Sequence, residues 1–434
     1  MLEPTAVGDA WDAIFAIVRD LSVTFETGAS TAARVGASNR STRRFSLAGG
    51  DAGIATFLHE VSLAERGDCE GAASLRDAYL GRAVAALSEE AMNASFYSGF
   101  SGIAWAVDRM SKAPGEPLSL EPDALDSIDR VLLDYVARRP DGELDVVSGV
   151  IGVGVYLLER LPRETAHRGL SIIIDTLAER AERHGAQVAW LTPPSLLDAD
   201  DRAKYPEGRY DLGVAHGVPG IVAFLARCIE ASVSIETARE LLEGAVSWLV
   251  DCCELRLGAP RFPYWIAPVG PTQPTRLAWC YGDLGVSLAL RSAAVATSRV
   301  DFWNFAVKLA EDAARRPVES AGIIDGGLCH GTAGAAHLFR HWFRATGQQS
   351  FLDASRFWFR ETLALRNEGS GVGGYRSVIR DVELRDVWID NPELLNGAAG
   401  IGLALLAAVT DRAPTWDRFL LLSPSGETSE RGVR

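Results

Sequence analysis

The sequence predicts an all-α protein in which seven inner and seven outer helices close into an α/α toroid. Three observations lead to this fold class. A glycine motif recurs along the whole chain, the segments between its copies have helical periodicity, and alternating strand-like runs are scarce. The 434 residues include 42 glycines, which form neither a collagen repeat nor a flexible linker.

The motif is G-x-x-G followed by an apolar run, and successive copies start 49, 50, 68, 65, 49 and 66 residues apart. Small and aliphatic residues cover these runs on nearly all sides, which predicts buried inner helices. The segments between them carry one apolar stripe, as at Leu125, Ile128 and Leu132, and are predicted as outer helices. The seven copies start at Gly50, Gly99, Gly149, Gly217, Gly282, Gly331 and Gly397.

The first and last copies are as apolar as the middle ones, whereas an open solenoid would have polar caps at its ends. We therefore expect the ring to close and residues 1–422 to form one domain, followed by a mobile polar tail at 423–434. Three spacings exceed the others by 15 to 19 residues. The additional sequence is loop-like and precedes a motif each time, which predicts a functional rim. These insertions are Ala199–Tyr210, Pro260–Arg276 and Glu368–Asn391.

Composition excludes several classes of protein. Lys and Arg number 43 against 57 Asp and Glu, a net charge of −14, which argues against nucleic acid as a partner. The acidic N-terminus does not resemble a signal peptide, and the longest apolar runs, Val146–Leu158 and Ala398–Val409, are too short to span a bilayer. Six cysteines in a chain of this size do not indicate a disulfide scaffold. We expect a cytoplasmic protein with reduced thiols and no integral membrane segment.

Alignment of the repeats on their first glycine brings four reactive side chains into register. Cys280 and Cys329 both precede that glycine by two residues, and His216 and His330 both precede it by one. Repeats five and six are neighbours in a ring, so Cys280, Cys329 and His330 would face one another. Two thiolates and an imidazole suit Zn²⁺ and leave its fourth position open, as catalytic sites do. The alternative is that both cysteines are small buried hydrophobic residues.

Three further residues extend this candidate site. His216 is a candidate general acid or base, or else a histidine that caps a loop. Asp145 lies in an otherwise apolar run, where it would pair with His216 or Arg276, or cap the following helix. Tyr281 and Arg276 complete the cluster, although Arg276 could also be an ordinary surface arginine.

The other cysteines and histidines give weaker signals. Cys228 follows Phe224 by four residues on a predicted helix, so we expect it in the core. His337 and His341 are one turn apart on the helix after Gly334. They could form a metal pair, but we expect them on the helix surface.

Four motifs resemble those of the lanthionine synthetase C family, and with the repeats the resemblance spans Leu47 to Val409. The resemblance implies an α/α toroid that binds one Zn²⁺ per chain through Cys280, Cys329 and His330. It also implies that His216 and Asp145 form the acid/base pair, supported by Arg276 and Tyr281. The motifs are DLGVAHGVPG at 211–220, RLAWCYG at 276–282, LCHGTAG at 328–334 and LLNGAAG at 394–400.

The resemblance implies a cyclase that forms lanthionine and methyllanthionine rings, and from the length of the chain we expect a stand-alone enzyme. In that reaction, cysteine thiolates of a dehydrated lanthipeptide precursor, leader plus core, add to dehydroalanine or dehydrobutyrine. The expected partners are a lanthipeptide dehydratase and an exporter, and the cyclase could lie peripherally on their membrane-associated complex. Two alternatives remain. One is an enzyme that adds glutathione or another small thiol, and the other is a non-catalytic peptide-binding scaffold with a structural zinc, which would need a fourth protein ligand.

Overall fold

The structure is a computed structural model that describes residues 2–27, 40–64, 66, 71–112, 121, 124–253, 260–270, 272–380 and 385–423. Its internal contacts divide the chain into two compact units. Unit 1 comprises Met1–Leu125, Ile323–Arg340 and Leu352–Trp416, and unit 2 comprises Asp126–Gly322, His341–Phe351 and Asp417–Arg434. The single domain over 1–422 stays a prediction, and nearly all of the tail expected at 423–434 lies outside the described residues.

A helix begins directly after the first glycine of every G-x-x-G copy, as the repeat predicts. These motif helices are α3 (Asp51–Ser62), α5 (Phe100–Ser111), α7 (Val150–Glu159), α10 (Val218–Glu230), α12 (Asp283–Thr297), α14 (Thr332–Thr346) and α16 (Ala398–Val409). The remaining helices are α1 (Pro4–Thr27), α2 (Arg40–Arg43), α4 (Ala72–Glu89), α6 (Asp126–Ala137), α8 (Glu164–Arg180), α9 (Ala199–Lys204), α11 (Ile235–Cys252), α13 (Val300–Ala314) and α15 (Gln349–Ala364).

The two glycines of a motif are needed because the preceding loop folds back onto the start of the helix. A Cβ at Gly217 would lie 2.0 Å from the carbonyl oxygen of Asp211, and one at Gly220 would lie 2.1 Å from that of Val214. Both distances are far below van der Waals contact, so only glycine fits. The motif therefore fixes the residues six positions before each glycine against the helix start.

Motif helices pack on one another within each unit. In unit 1, α3 lies between α5 and α16, with α4 against α3 and α1 against α16. In unit 2, α10 lies between α7 and α12, and α8, α11 and α13 pack against α7, α10 and α12 respectively. Residues 398–408 of α16 are all buried, as expected for an inner helix. Within the described ranges, no helix combines the length and the apolar character needed to cross a bilayer.

The strands are short antiparallel ribbons, and the three insertions are not simply loops. The insertion Ala199–Tyr210 contains α9 and the first residue of β3 (Tyr210–Asp211), which pairs with β4 (Trp265–Ile266). The other ribbons join β1 (Glu182–His184) to β2 (Gln187–Ala189), and β5 (Arg376–Arg380) to β6 (Asp386–Asp390). Runs of two to five residues are too short to show a strand period in the sequence.

One expectation about histidines was wrong. His337 and His341 are fully buried rather than on a helix surface. In unit 1 the His337 ring stacks on Trp416, with ring centroids 4.8 Å apart. In unit 2 His341 Nε2 lies 2.7 Å from Asp417 Oδ2. The C-terminal segment therefore covers a helix face that looks polar in the sequence. Cys228 is buried, as predicted.

Candidate active site

Unit 2 contains an open cleft of about 350 Å³. Asp145, Asp211, His216 and Tyr281 line it together with apolar side chains that include Leu191. These polar residues come from the loops before α7, α10 and α12, the three motif helices that pack side by side in this unit. Loops held by a rigid scaffold commonly build binding sites. The cleft is therefore the candidate active site of unit 2.

A histidine–aspartate pair lines the cleft. His216 Nδ1 is 2.6 Å from Asp145 Oδ2, a distance typical of a strong charge-assisted hydrogen bond. The Asp145 side chain is 9% exposed and that of His216 is 39% exposed. The carboxylate is therefore enclosed, whereas part of the imidazole faces solvent. Of the two partners suggested for Asp145 by the sequence, the structure pairs it with His216.

Asp145 also caps the turn before α7. Its Oδ1 accepts hydrogen bonds from the backbone N–H groups of Ser148 and Gly149, at 2.6 and 2.9 Å. Ser46 and Ser95 occupy the same offset in repeats one and two, and each accepts a backbone N–H three residues later. Both interpretations of Asp145 thus apply, one to each carboxylate oxygen. A serine at this position caps the turn, and an aspartate has a second oxygen for the histidine.

Competing effects act on the pKa of His216, and the net result is a rise above the ordinary value near 6.5. Burial lowers the pKa because it disfavours the imidazolium. The hydrogen bond and negative charge of Asp145, with the charges of Glu143 and Asp211, outweigh this effect. His216 therefore holds a proton more firmly than an isolated histidine, as a general acid requires.

Asp211 is a buried carboxylate at the same cleft that the sequence reasoning did not select. Its Oδ2 accepts a hydrogen bond from Thr192 Oγ1 at 2.8 Å. Its Oδ1 accepts from Arg209 Nε at 3.1 Å and from the Tyr281 hydroxyl at 3.3 Å. Burial raises its pKa, and the charge of Arg209 opposes that rise. Three separate segments of unit 2 therefore converge on one carboxylate.

Glu143 is a second missed carboxylate, and a signal for both was present in the repeat. Burial and the negative charge of Asp145 raise the pKa of Glu143. Glu143 and Asp211 each precede the first motif glycine by six residues, the position that the helix start holds in place. That offset is polar in every repeat, which the alignment could have revealed. Its residues are Arg44, Asn93, Glu143, Asp211, Arg276, Asp325 and Asn391.

Tyr281 and Arg276 lie on the segment before α12. The Tyr281 ring lies 6.3 Å from the His216 ring at an interplanar angle of 25°. Burial and the charge of Asp211 raise the pKa of Tyr281 well above its ordinary value, so its hydroxyl stays protonated. Arg276 is half-buried, and its Nε donates to the Tyr264 hydroxyl at 3.1 Å. The Tyr264 ring in turn lies 5.1 Å from the Tyr281 ring.

Of the predicted zinc ligands, Cys280 belongs to unit 2, and Cys329 and His330 belong to unit 1. In unit 2, Cys280 is half-buried, and its carbonyl accepts a hydrogen bond from the Ala215 N–H at 3.2 Å. In unit 1, Cys329 is buried and donates its N–H to the Leu395 carbonyl, and half-buried His330 follows it. Both cysteine side chains are thiols. The described residues thus offer donors of the types that bind zinc, and their joint ligation stays a prediction.

Comparisons with known proteins show the family and the fold of this chain. Residues 41–421 match the family described as "Lanthionine synthetase C-like protein". The nisin biosynthesis protein NisC of Lactococcus lactis subsp. lactis is 24% identical over 306 residues, which are 65% of this chain and 71% of NisC. The solved structure of a nisin cyclase superposes with a TM-score of 0.74 at 20% identity, covering 93% of this chain and 97% of that one. This likeness confirms the predicted fold class, an all-α α/α toroid.

Proposed function

Because the chain belongs to the lanthionine synthetase C-like family, we propose that it is a zinc-dependent lanthipeptide cyclase. In the proposed reaction, a cysteine of a dehydrated precursor peptide adds to dehydroalanine or dehydrobutyrine and forms a thioether ring. The observation that carries the proposal is the His216–Asp145 pair, whose imidazole is partly exposed to the cleft. The segment that bears Cys280 borders the same cleft through Tyr281. This arrangement suits a reaction that ends in a proton transfer.

The zinc ligands in this proposal are Cys280, Cys329 and His330. Two thiolates and one imidazole form a donor set that zinc favours, and three protein ligands leave a position for a substrate thiol. When bound, Zn²⁺ would lower the pKa of that thiol and supply a thiolate near neutral pH.

His216 carries the proton that completes the reaction. When the thiolate adds to the β-carbon, a C–S bond forms, the C=C π bond breaks, and the electron pair moves into an enolate. The α-carbon must then receive a proton. Because Nδ1 is engaged by Asp145, Nε2 of His216 is the ring nitrogen that would donate it. Asp145 holds the ring in place and favours the imidazolium form before the transfer.

The partner of this cyclase is a leader-bearing peptide in which serines and threonines have already been dehydrated. A dehydratase must act first, because the acceptor double bonds do not exist in the unmodified peptide. We further propose that an exporter transports the cyclised peptide, and that the cyclase associates peripherally with the dehydratase and the exporter.

A first experiment incubates the zinc-loaded protein with a dehydrated, leader-bearing peptide and counts the remaining thiols by alkylation and mass spectrometry. We expect His216→Ala to retain zinc but to lower correct ring formation by at least about a hundredfold. His184→Ala is the matched control, because His184 is exposed on β1 and outside the cleft. Unchanged ring formation by His216→Ala would remove His216 from the mechanism.

A second arm tests the metal and the class of substrate. We expect one zinc per chain by metal analysis, lost in the Cys280→Ala/Cys329→Ala variant. Native protein without zinc would contradict the ligand assignment. Glutathione supplied with the same dehydrated peptide should form little adduct compared with intramolecular rings. Adducts without rings would indicate a small-thiol transferase instead.

A further inference from the structure

The negative charge of Asp211 contributes to the raised pKa of His216, but the hydrogen bonds of Asp211 have no part in the proton transfer described above. Asp211 is 3% exposed, and its two oxygens accept from Thr192, Arg209 and Tyr281. Burying an ionised carboxylate is costly unless hydrogen bonds compensate for lost water. A plain cap would not require three side-chain donors from separate segments, so the network calls for another explanation.

The network joins two loops that carry the proposed chemistry. Asp211 begins the loop that leads to His216, whereas Tyr281 directly follows Cys280. The backbones of these loops also meet, since Gly213 forms a β-bridge with Tyr281 and the Ala215 N–H donates to the Cys280 carbonyl. The hydrogen bond from Tyr281 to Asp211 adds a side-chain link across this junction.

Arg209 also holds the Asp211 carboxylate in place. Its guanidinium donates to both Asp201 and Asp211, at 2.7 and 3.1 Å, and lies 4.2 Å from the centroid of the Trp265 ring. Trp265 is the β4 residue opposite Asp211 in the β3–β4 ribbon. The ribbon thus positions the Asp211 backbone through its pairing with Trp265 and the Arg209 guanidinium through the Trp265 ring. Both contacts restrict movement of the Asp211 carboxylate.

We propose that Asp211 is a positioning residue, which acts through the Tyr281 hydroxyl to hold the loop before α12 in register with the loop that bears His216. This inference rests on the proposed cyclase function. Asp211 does not itself transfer a proton. It keeps the Tyr281 ring nearly parallel to the imidazole and thereby fixes where His216 lies relative to the Cys280 segment.

The test compares four variants in the ring-formation assay. Asp211→Ala and Tyr281→Phe each remove the link, so each should lower kcat by at least about tenfold and change KM by less than about threefold. The double variant should be no worse than about twofold below the lower single variant, because both substitutions break the same contact. Asp211→Asn should recover kcat to within about threefold of wild type, because its amide oxygen still accepts from Tyr281.

The control is Tyr210→Phe, which removes another tyrosine-to-carboxylate hydrogen bond, to Glu182, where neither residue lines the cleft. Its kcat should equal that of wild type. Multiplicative losses in the double variant, or undiminished kcat in Tyr281→Phe, would overturn the inference even if Asp211→Ala failed to fold. Wild-type protein that forms no rings would instead overturn the proposed function, so the two failures are distinguishable.

Discussion

Among the described residues of unit 2, two histidine–aspartate pairs have nearly the same N–O distance. His216 Nδ1 lies 2.6 Å from Asp145 Oδ2, and His341 Nε2 lies 2.7 Å from Asp417 Oδ2. Their surroundings differ. His216 is 39% exposed at the cleft, whereas the side chains of His341 and Asp417 are 1% and 0% exposed. Distance alone therefore cannot identify a catalytic pair.

The difference shows what an enclosed pair and an open pair can each do. An enclosed imidazole has no route to a substrate, so the His341–Asp417 pair serves to join the C-terminal segment to the core. Leu420, three residues after Asp417, accepts a hydrogen bond from the Trp279 indole at 2.9 Å. The segment that carries Asp417 thus also contacts the segment that ends at Cys280, whereas the open pair faces the cleft. We expect the first to determine stability and the second to determine rate.

The largest effect expected is on stability. Asp417→Ala removes one partner of a sealed pair and should lower the free energy of unfolding by about 3 kcal/mol. Chemical denaturation followed by circular dichroism measures the change. The kcat of the folded protein should remain within about threefold of wild type, because the cleft is not touched. A decrease in the free energy of unfolding of less than about 1 kcal/mol would show that the buried pair does not stabilise the fold.

The next largest effect is on the rate of ring formation. The variant that tests it takes its residue from the corresponding position of two other repeats. Asp145→Ser gives repeat three the residue that Ser46 and Ser95 provide in repeats one and two. The turn before α7 keeps a capping oxygen, so the free energy of unfolding should change by less than about 1 kcal/mol. The partner of His216 is lost, however, so ring formation should slow by about a hundredfold.

The matched control is Ser95→Ala, which removes the corresponding cap of repeat two, outside the cleft. It should lower the free energy of unfolding by about 1 kcal/mol and leave ring formation unchanged. Together the two variants separate the two functions that Asp145 combines. If Asp145→Ser formed rings at the wild-type rate, the cap would be its whole role and the open pair would not be catalytic.

The helix starts and part of the open pair could be predicted from the sequence. The G-x-x-G copies located the start of each motif helix, because the close backbone approach at Gly217 and Gly220 tolerates no side chain. Alignment on those glycines also selected His216. The helix starts and the selected histidine both depend on short-range geometry that a repeated motif imposes. Such geometry can be recognised in a single sequence.

The rest depends on pairings that no local pattern encodes. Asp211 is important because Thr192, Arg209 and Tyr281 converge on it, and that convergence requires the two-residue ribbon of β3 and β4. His341 is buried because Asp417, distant in sequence, covers it. A polar residue on a helix looks solvent-exposed until the segment that covers it is known.

The smallest effect is a shift in the pH dependence of the open pair. The folded-state pKa of His216 is raised, so its acid form should persist above the ordinary value near 6.5. The rate of ring formation should therefore fall only as the pH rises through this raised pKa. In Asp145→Ser the strongest partner of the imidazolium is gone while burial still lowers the pKa of His216, so the descending limb of the pH–rate profile should move to lower pH.

The same linkage applies to stability: the contribution of the pair is fully present below about pH 6.5 and is lost as the pH rises through the raised pKa. The excess stability of wild type over Asp145→Ser should shrink over that window, measured by denaturation at a series of pH values. A descending limb that is identical in the two proteins would mean that Asp145 does not control the proton on His216.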